Sequence, residues 1–343
     1  MDTEFHYYMT YLIAAKAGFG PGDAFTIAYS SQYVDDNDMI LEVDKGKASA
    51  YRNYISQTMN ILKPKGKLFR IYPLFHFIPG DPMNASAWRK DGKMHWLNTT
   101  PNSANASRIF DNALASKSLH RIGIAAHGFA DTWAHQNFIG YFDDFNAIAS
   151  PLGAAAPNIG HADAGHNPDW PALVWQDKRL LNERVDNKGI FLEAAEHLLR
   201  KLTAYVDPTA SEKGVGEKAA ELRQDLDWAI GGRDQGNHYR EERIGRYRHL
   251  AERAGYGDRA LPGYDHDLWL DDAIHENVRG LRDRSDFTLA RWDPLTDVFT
   301  WKDSVNYVQT PWHCFQQAVK DHQNEAWEVL SKANLMGLEL PEL

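Results

Sequence analysis

Residues 125–138 read AAHGFADTWAHQNF, and no other stretch constrains the fold as tightly. A helix advances about 100° per residue, so positions four apart stack on one face. His127, Asp131 and His135 therefore form one stripe at one-turn intervals. Around them stand Ala125, Ala126, Phe129, Ala130, Trp133, Ala134 and Phe138, the composition of a helix with no solvated side. Burying three ionisable groups in a row is costly unless something compensates them. Hydrogen-bonded neighbours could do so, but two imidazoles flanking a carboxylate suit a metal better, or a pair of metals sharing the Asp. The face Ala126, Ala130, Ala134 predicts close packing, which makes the 119–139 helix the centre of the fold.

Helical periodicity extends through the chain. The pattern predicts helices over 4–17, 21–36, 45–62, 103–118 and 119–139, then near 190–204, 215–230, 236–254, 267–282 and 311–335. Gly18 and Gly20 end the first helix, and Pro21 is placed to start the second. The stretch LFRIYPLFHFIPGDP (68–82) reads as an irregular segment crossing the core, and 140–171, rich in Gly, Ala, Pro, Asn and Asp, as a long loop. Alternating βαβ units are absent, so the expected fold is all-α: a multi-helix bundle with a metal site between helices and long irregular loops. A metal-binding helical domain over 1–205 would carry the helices of 206–343 packed on it. The polar run 207–218 is either the boundary or a surface loop.

The net charge of −10 argues against wrapping duplex nucleic acid or an anionic membrane, both of which require a basic surface. One cysteine, Cys314, rules out an internal disulfide and a thiolate zinc cage. No run approaches twenty apolar residues, so no transmembrane segment is expected. Acidic residues precede the first apolar run and Lys16 breaks it, unlike a signal peptide; the chain is expected to be cytoplasmic.

Further ligand candidates are dispersed. Asp2 and His6 are one turn apart in the first helix. Asp35 and Asp36 close the second helix, where its dipole disfavours a carboxylate unless a cation is near. His76 lies in LFHFIPG, apolar on both sides and so buried. The loop IGHADAGHNPDWP (159–171) offers His161, Asp163, His166 and Asp169, of which one could be a ligand. A set rich in His and Asp and free of Cys suits zinc or another borderline divalent ion with open positions. Two other helical metal classes fit less well: the only His-Asp dipeptide, His266-Asp267, reads as loop, and no E-x-x-H pair exists for a di-iron bundle.

The H-x-x-x-D on a buried helix, followed by another His and a loop His, resembles the zinc-dependent phospholipase C and single-strand nuclease superfamily. The resemblance covers roughly residues 1–175; FHYYMTYLIA and SSQYVDD also resemble the opening of uncharacterised bacterial proteins. It implies an all-α fold with a zinc cluster in a cleft, hydrolysing phosphate esters. His6, Asp35 or Asp36, His76, His127, Asp131, His135 and His161 follow the family's ligand order. Three departures stand out. The family spaces the Asp and the following His more widely than D-x-x-x-H. Gly165 occupies the place of the acid four residues after His161, where Asp163 or Asp169 could substitute. The family's N-terminal amine ligand has no counterpart expected here, and Asp2 could fill its role.

The expected activity is metal-dependent hydrolysis of a small-molecule or lipid phosphate ester, of phospholipid or nucleotide type. One to three ions, zinc or another divalent metal, would take part. Asp35 or Asp36 would orient or deprotonate the water, and Trp133, Trp170 or Trp175 could contact substrate. The alternative is a non-catalytic helical protein with a structural metal site.

Overall fold

A computed structural model describes residues 1–58, 70–148, 159–277 and 298–333. The chain is mostly helical with a small amount of sheet. A π-helical start, Glu4–Met9, runs into α1 (Thr10–Ala17). There follow α2 (Pro21–Asp36), α3 (Ala104–Ala115), α4 (Leu119–Ala134), α5 (Asn187–Val206), α6 (Glu212–Ile230), α7 (Arg240–Ala251), α8 (Leu268–Ala273) and α9 (Pro311–Lys332). Their ends follow side-chain chemistry. Gly18, at φ +120°, closes α1; the hydroxyls of Ser103, Ser118 and Thr310 accept N-terminal amides of α3, α4 and α9.

Every residue of α4 from Ile122 to Ala134 is buried, including Ala126, Ala130 and Ala134. Its closest approaches lie at two glycines. A Cβ on Gly123 would meet the Ile27 carbonyl oxygen of α2 at 2.4 Å, and one on Gly128 the Phe75 carbonyl oxygen at 2.8 Å. Only glycine permits such contact. This brings α2 and the π-helical turn Tyr72–His76 against the His/Asp stripe.

The all-α expectation needs correction. Strands β1 (Glu42–Val43), β2 (Tyr51–Arg52), β5 (Ile274–Asn277) and β6 (Val298–Trp301) form one sheet in the order β2-β1-β6-β5; β3 (Val174–Gln176) and β4 (Arg184–Asp186) form a hairpin. The helix expected over 45–62 is absent from its described part, and residues 59–62 lie outside the described residues. Side chains have taken over its backbone groups: Asn37 Nδ2 donates to the Tyr54 carbonyl, Asn53 Oδ1 accepts the Leu41 amide, and a His76 ring nitrogen holds the Ser56 carbonyl. The helix expected over 267–282 stops at Ala273, where Ile274 pairs with Trp301; residues 278–282 lie outside the described residues. In the 140–171 loop, single helical turns stand at Asp144–Asn146 and Ala162–Ala164, and 149–158 lie outside the described residues.

The helices beyond residue 206 share the core of the earlier ones, which runs from Met1 to Leu330. A buried ion network ties them to the first helix. Arg243 of α7 grips Glu4 through Nε and Nη2, each at 2.8 Å, and Asp234 through Nη1 at 2.8 Å. No helix among the described residues is long and apolar enough to cross a membrane.

Candidate metal centre

Four elements deliver the site: the first helix, the end of α2, the turn at 72–76, and α4 with the loop behind it. Three groups result, their potential ligand atoms within 4.8 Å of one another: His6, His127 and Asp131; Asp35, His76 and His127; His135, His161 and Asp169. These buried His/Asp groups could hold a metal ion.

Asp131 is the hub. Its Oδ1 lies 3.2 Å from His6 Nε2, and its Oδ2 lies 3.2 Å from His127 Nε2 and 3.6 Å from His76 Nδ1. Asp35 Oδ1 stands 3.7 Å from both His76 Nδ1 and His127 Nε2. At the other end, Asp169 Oδ1 is 3.6 Å from His135 Nε2 and 3.5 Å from His161 Nε2.

The imidazoles are oriented from behind. His127 Nδ1 faces the Ser31 carbonyl, His135 Nδ1 the His76 carbonyl, His161 Nδ1 the Gly165 carbonyl, each at 2.8 Å, and His76 Nε2 the Ser56 carbonyl at 2.9 Å. A carbonyl only accepts, so each of these nitrogens carries the hydrogen and donates it. In the neutral ring the inward nitrogen is then a bare lone pair, the arrangement that orients metal-binding histidines. Two such lone pairs meet where His127 Nε2 lies 3.0 Å from His76 Nδ1. They repel unless a proton or a cation stands between them. His6, wholly buried, makes no hydrogen bond through either ring nitrogen, and Asp131 Oδ2 makes none.

Burial depresses the pKa values of His6, His127 and His135 to about 4, against the opposing pull of Asp131. His76 differs. Burial lowers it too, but Asp131 and Asp35 outweigh that and leave it raised. For Asp131 burial acts upward, yet His135, the Met1 amine, His127 and His6 together hold it well below the usual carboxylate range. Asp169 is likewise held low, by His161 and the Met1 amine against burial. Burial raises Asp35.

The structure brings together His6, Asp35, His76, His127, Asp131, His135 and His161 as the sequence suggested. His135 joins the His161 group although it follows Asp131 by only four residues. Asp36 is a correction: its carboxylate accepts from Tyr264 Oη at 2.7 Å and Gln32 Nε2 at 3.2 Å, and it belongs to none of the three groups. One residue on, a helix turns its side chain about 100° away. The acid beside His161 is Asp169, while Asp163 accepts the Ile148 amide. Asp2 belongs to none of the three groups: its Oδ1 accepts the Glu4 amide, and the Met1 amine reaches Asp131 Oδ1 at 2.6 Å.

A cleft of about 500 Å³ opens over the cluster, its rim including Asp35, Gln57, Tyr72, Phe77, Ile159 and His166. The tryptophans are elsewhere. Trp133 is in the core, Trp170 stacks on His166 at 5.9 Å, and Trp175 donates to Asn187.

Fold and site together define a mostly helical protein with a buried His/Asp cluster able to hold metal. Residues 1–330 match a family described as "Family of unknown function (DUF6765)", and the chain belongs to that family. No curated protein and no solved structure matches it.

Proposed function

We propose that this protein holds two or three divalent ions of the zinc class and uses them to hydrolyse a phosphate ester. The observation carrying this reading is the pair of inward lone pairs on His127 and His76, 3.0 Å apart and flanked by Asp35 and Asp131. Two nitrogens on one zinc, each about 2.0–2.1 Å from it, lie about 3–3.5 Å apart, so the spacing fits a shared cation. The unsatisfied His6 ring and Asp131 Oδ2 support it further, as does the ligand order shared with the zinc-dependent phospholipase C and single-strand nuclease superfamily. His127 has one free nitrogen for two groups, hence a count of two or three rather than a fixed number.

Divalent ions supply Lewis acidity, activating water and neutralising charge on a phosphoryl oxygen. This chain's residues do the rest. Asp35, 27 % exposed at its side chain, faces both cluster and cleft and can orient a water or take its proton. Tyr72, Phe77 and Ile159 offer an apolar wall to the ester's organic part. Among the described residues no Lys or Arg lines the cleft, so of these groups the metals would carry phosphate recognition.

Elemental analysis of chelator-free protein, paired with a panel of phosphomonoesters and phosphodiesters, tests this. Expected are bound zinc or a similar ion, and hydrolysis abolished by chelation and restored by metal. Asp131→Ala should lose roughly one ion or more per chain. Asp35→Asn should retain metal at the His135 group while hydrolysis falls roughly a hundred-fold. Metal-replete protein that is stabilised by its metal yet cleaves nothing in the panel would leave the structural-metal alternative standing.

A further inference from the structure

A second cleft, of about 480 Å³, is lined by Tyr11, Pro21, Phe25, Arg248, Arg259 and Pro262, with Gly22 at its edge. It lies at the opposite end of α2 from the metal centre. Phe25 and Asp35 are ten residues apart, which along a helix is about 15 Å. Its walls are apolar, and in a chain of net charge −10 its only charged lining groups among the described residues are two guanidiniums.

Neither guanidinium makes an ion pair among the described residues. Arg248 donates its Nε to the Leu261 carbonyl at 2.9 Å, which leaves both terminal nitrogens for another acceptor. Tyr11 is 2 % exposed, and its hydroxyl has no hydrogen-bond partner among the described residues. That hydroxyl lies at the cleft beside Gly257, where an added Cβ would meet it at 2.9 Å. Gly22 adds an amide in the first turn of α2, where amides lack intrahelical acceptors and the helix dipole favours negative charge. The terminal nitrogens of Arg248, the Arg259 guanidinium, the Tyr11 hydroxyl and Gly22 thus line one cleft beside an apolar wall.

We infer that this cleft binds an amphiphilic anion. Its phosphate or carboxylate head is held by Arg248, Arg259, the Tyr11 hydroxyl and the Gly22 amide. Its aliphatic or aromatic body packs on Phe25, Pro21 and Pro262. Guanidinium forks match oxyanion geometry, and charge-assisted bonds are the strong ones. The apolar wall then separates such a ligand from a bare inorganic ion.

Isothermal titration calorimetry on the full chain, with and without chelator, tests the site. The probes are octyl phosphate, octanoate, inorganic phosphate and octyltrimethylammonium. Octyl phosphate or octanoate is expected to bind equally well after chelation, and whichever binds tighter assigns the head group. Inorganic phosphate should bind at least roughly ten-fold more weakly after chelation, and the cation not at all. Arg259→Ala, at an exposed side chain, should weaken the amphiphile roughly ten-fold, and Tyr11→Phe, which preserves packing, by roughly three-fold. Binding lost on chelation would place the anion at the metal centre. That result, unchanged affinity in Arg259→Ala, or equal uptake of the cation would each overturn the proposal. None of these outcomes bears on whether the metal centre is catalytic.

Discussion

Glu4 and His6 stand two residues apart on the first helix, both wholly buried, and the protein treats them oppositely. Glu4 receives two hydrogen bonds from Arg243, whose remaining donors reach Asp234 and Asn237. That network is closed: each charge meets its opposite. His6 receives nothing, although Asp131 Oδ1 is 3.2 Å away and its ring stacks on His127 at 3.8 Å between centroids. Burial alone therefore does not mark a functional group. A polar group already satisfied by the chain holds the fold together, whereas one packed among acids and imidazoles without a hydrogen bond is available to something the chain does not supply.

Removing Arg243 from one network and adding metal to the other gives the largest contrast. Arg243→Met leaves Glu4 and Asp234 without their cation, and should cost about 3–5 kcal/mol in urea unfolding. Metal content in the folded fraction should not change; a parallel loss of metal would mean that the two networks are one. Metal should act in the other direction. At a hundred-fold excess over its Kd, zinc should stabilise the chain by about 2.7 kcal/mol in the same experiment, with Arg243→Met gaining the same increment.

Acid acts on the cluster's histidines and on Asp234 in different windows. His6, His127 and His135 titrate at about 4 in the folded metal-free chain, below the ordinary value of 6.5. Between those values the unfolded chain binds protons that the folded chain refuses, so stability falls as pH falls from 6.5 to 4. His76, raised instead, acts above that window: its contribution is complete below 6.5 and is lost as pH rises past it. Asp234 sits lower: burial opposes it, but the Tyr239 and His238 amides and Arg243 bring it to about 2. Its contribution is complete above its ordinary 3.8 and is lost as pH falls toward 2. Urea titrations of the metal-free chain should show both windows. A flat profile from pH 6.5 to 4 would contradict the depressed histidines.

The smallest effect belongs to Asp36→Asn, which keeps an acceptor for Tyr264 while weakening it. About 1 kcal/mol of stability should go, with metal content and hydrolysis unaltered. A large drop in bound metal would return Asp36 to the cluster.

Much of this was legible in the sequence where helical periodicity carries the information. The H-x-x-x-D stripe, the burial of α4 and the exact span of α2 all follow from spacing and from Pro21. Asp35 and Asp36 could not be separated, because a helix end leaves the side-chain direction open until the packing partner is known. Asp169 is one of four candidates in a single loop, and no spacing singles it out. It arrives through a single helical turn at 162–164 and Gly165 at φ +58°, and such loops have no period to read. The strands at 42–43 and 51–52 escaped because Asn37 and Asn53 bind distant backbone groups, a tertiary effect that outweighs local preference.

The distances along the chain between the cluster's parts have a kinetic consequence. His127 meets the Ser31 carbonyl across 96 residues and His76 across 51, while Asp131 meets the first residue across 130. Helices of this size form in about a microsecond, but contacts so remote in sequence come last, after long loops have closed. On the proposed metal-binding reading, metal capture then marks the end of folding rather than its beginning. A fluorescent zinc indicator followed during refolding should lose its signal well after circular dichroism has stopped changing.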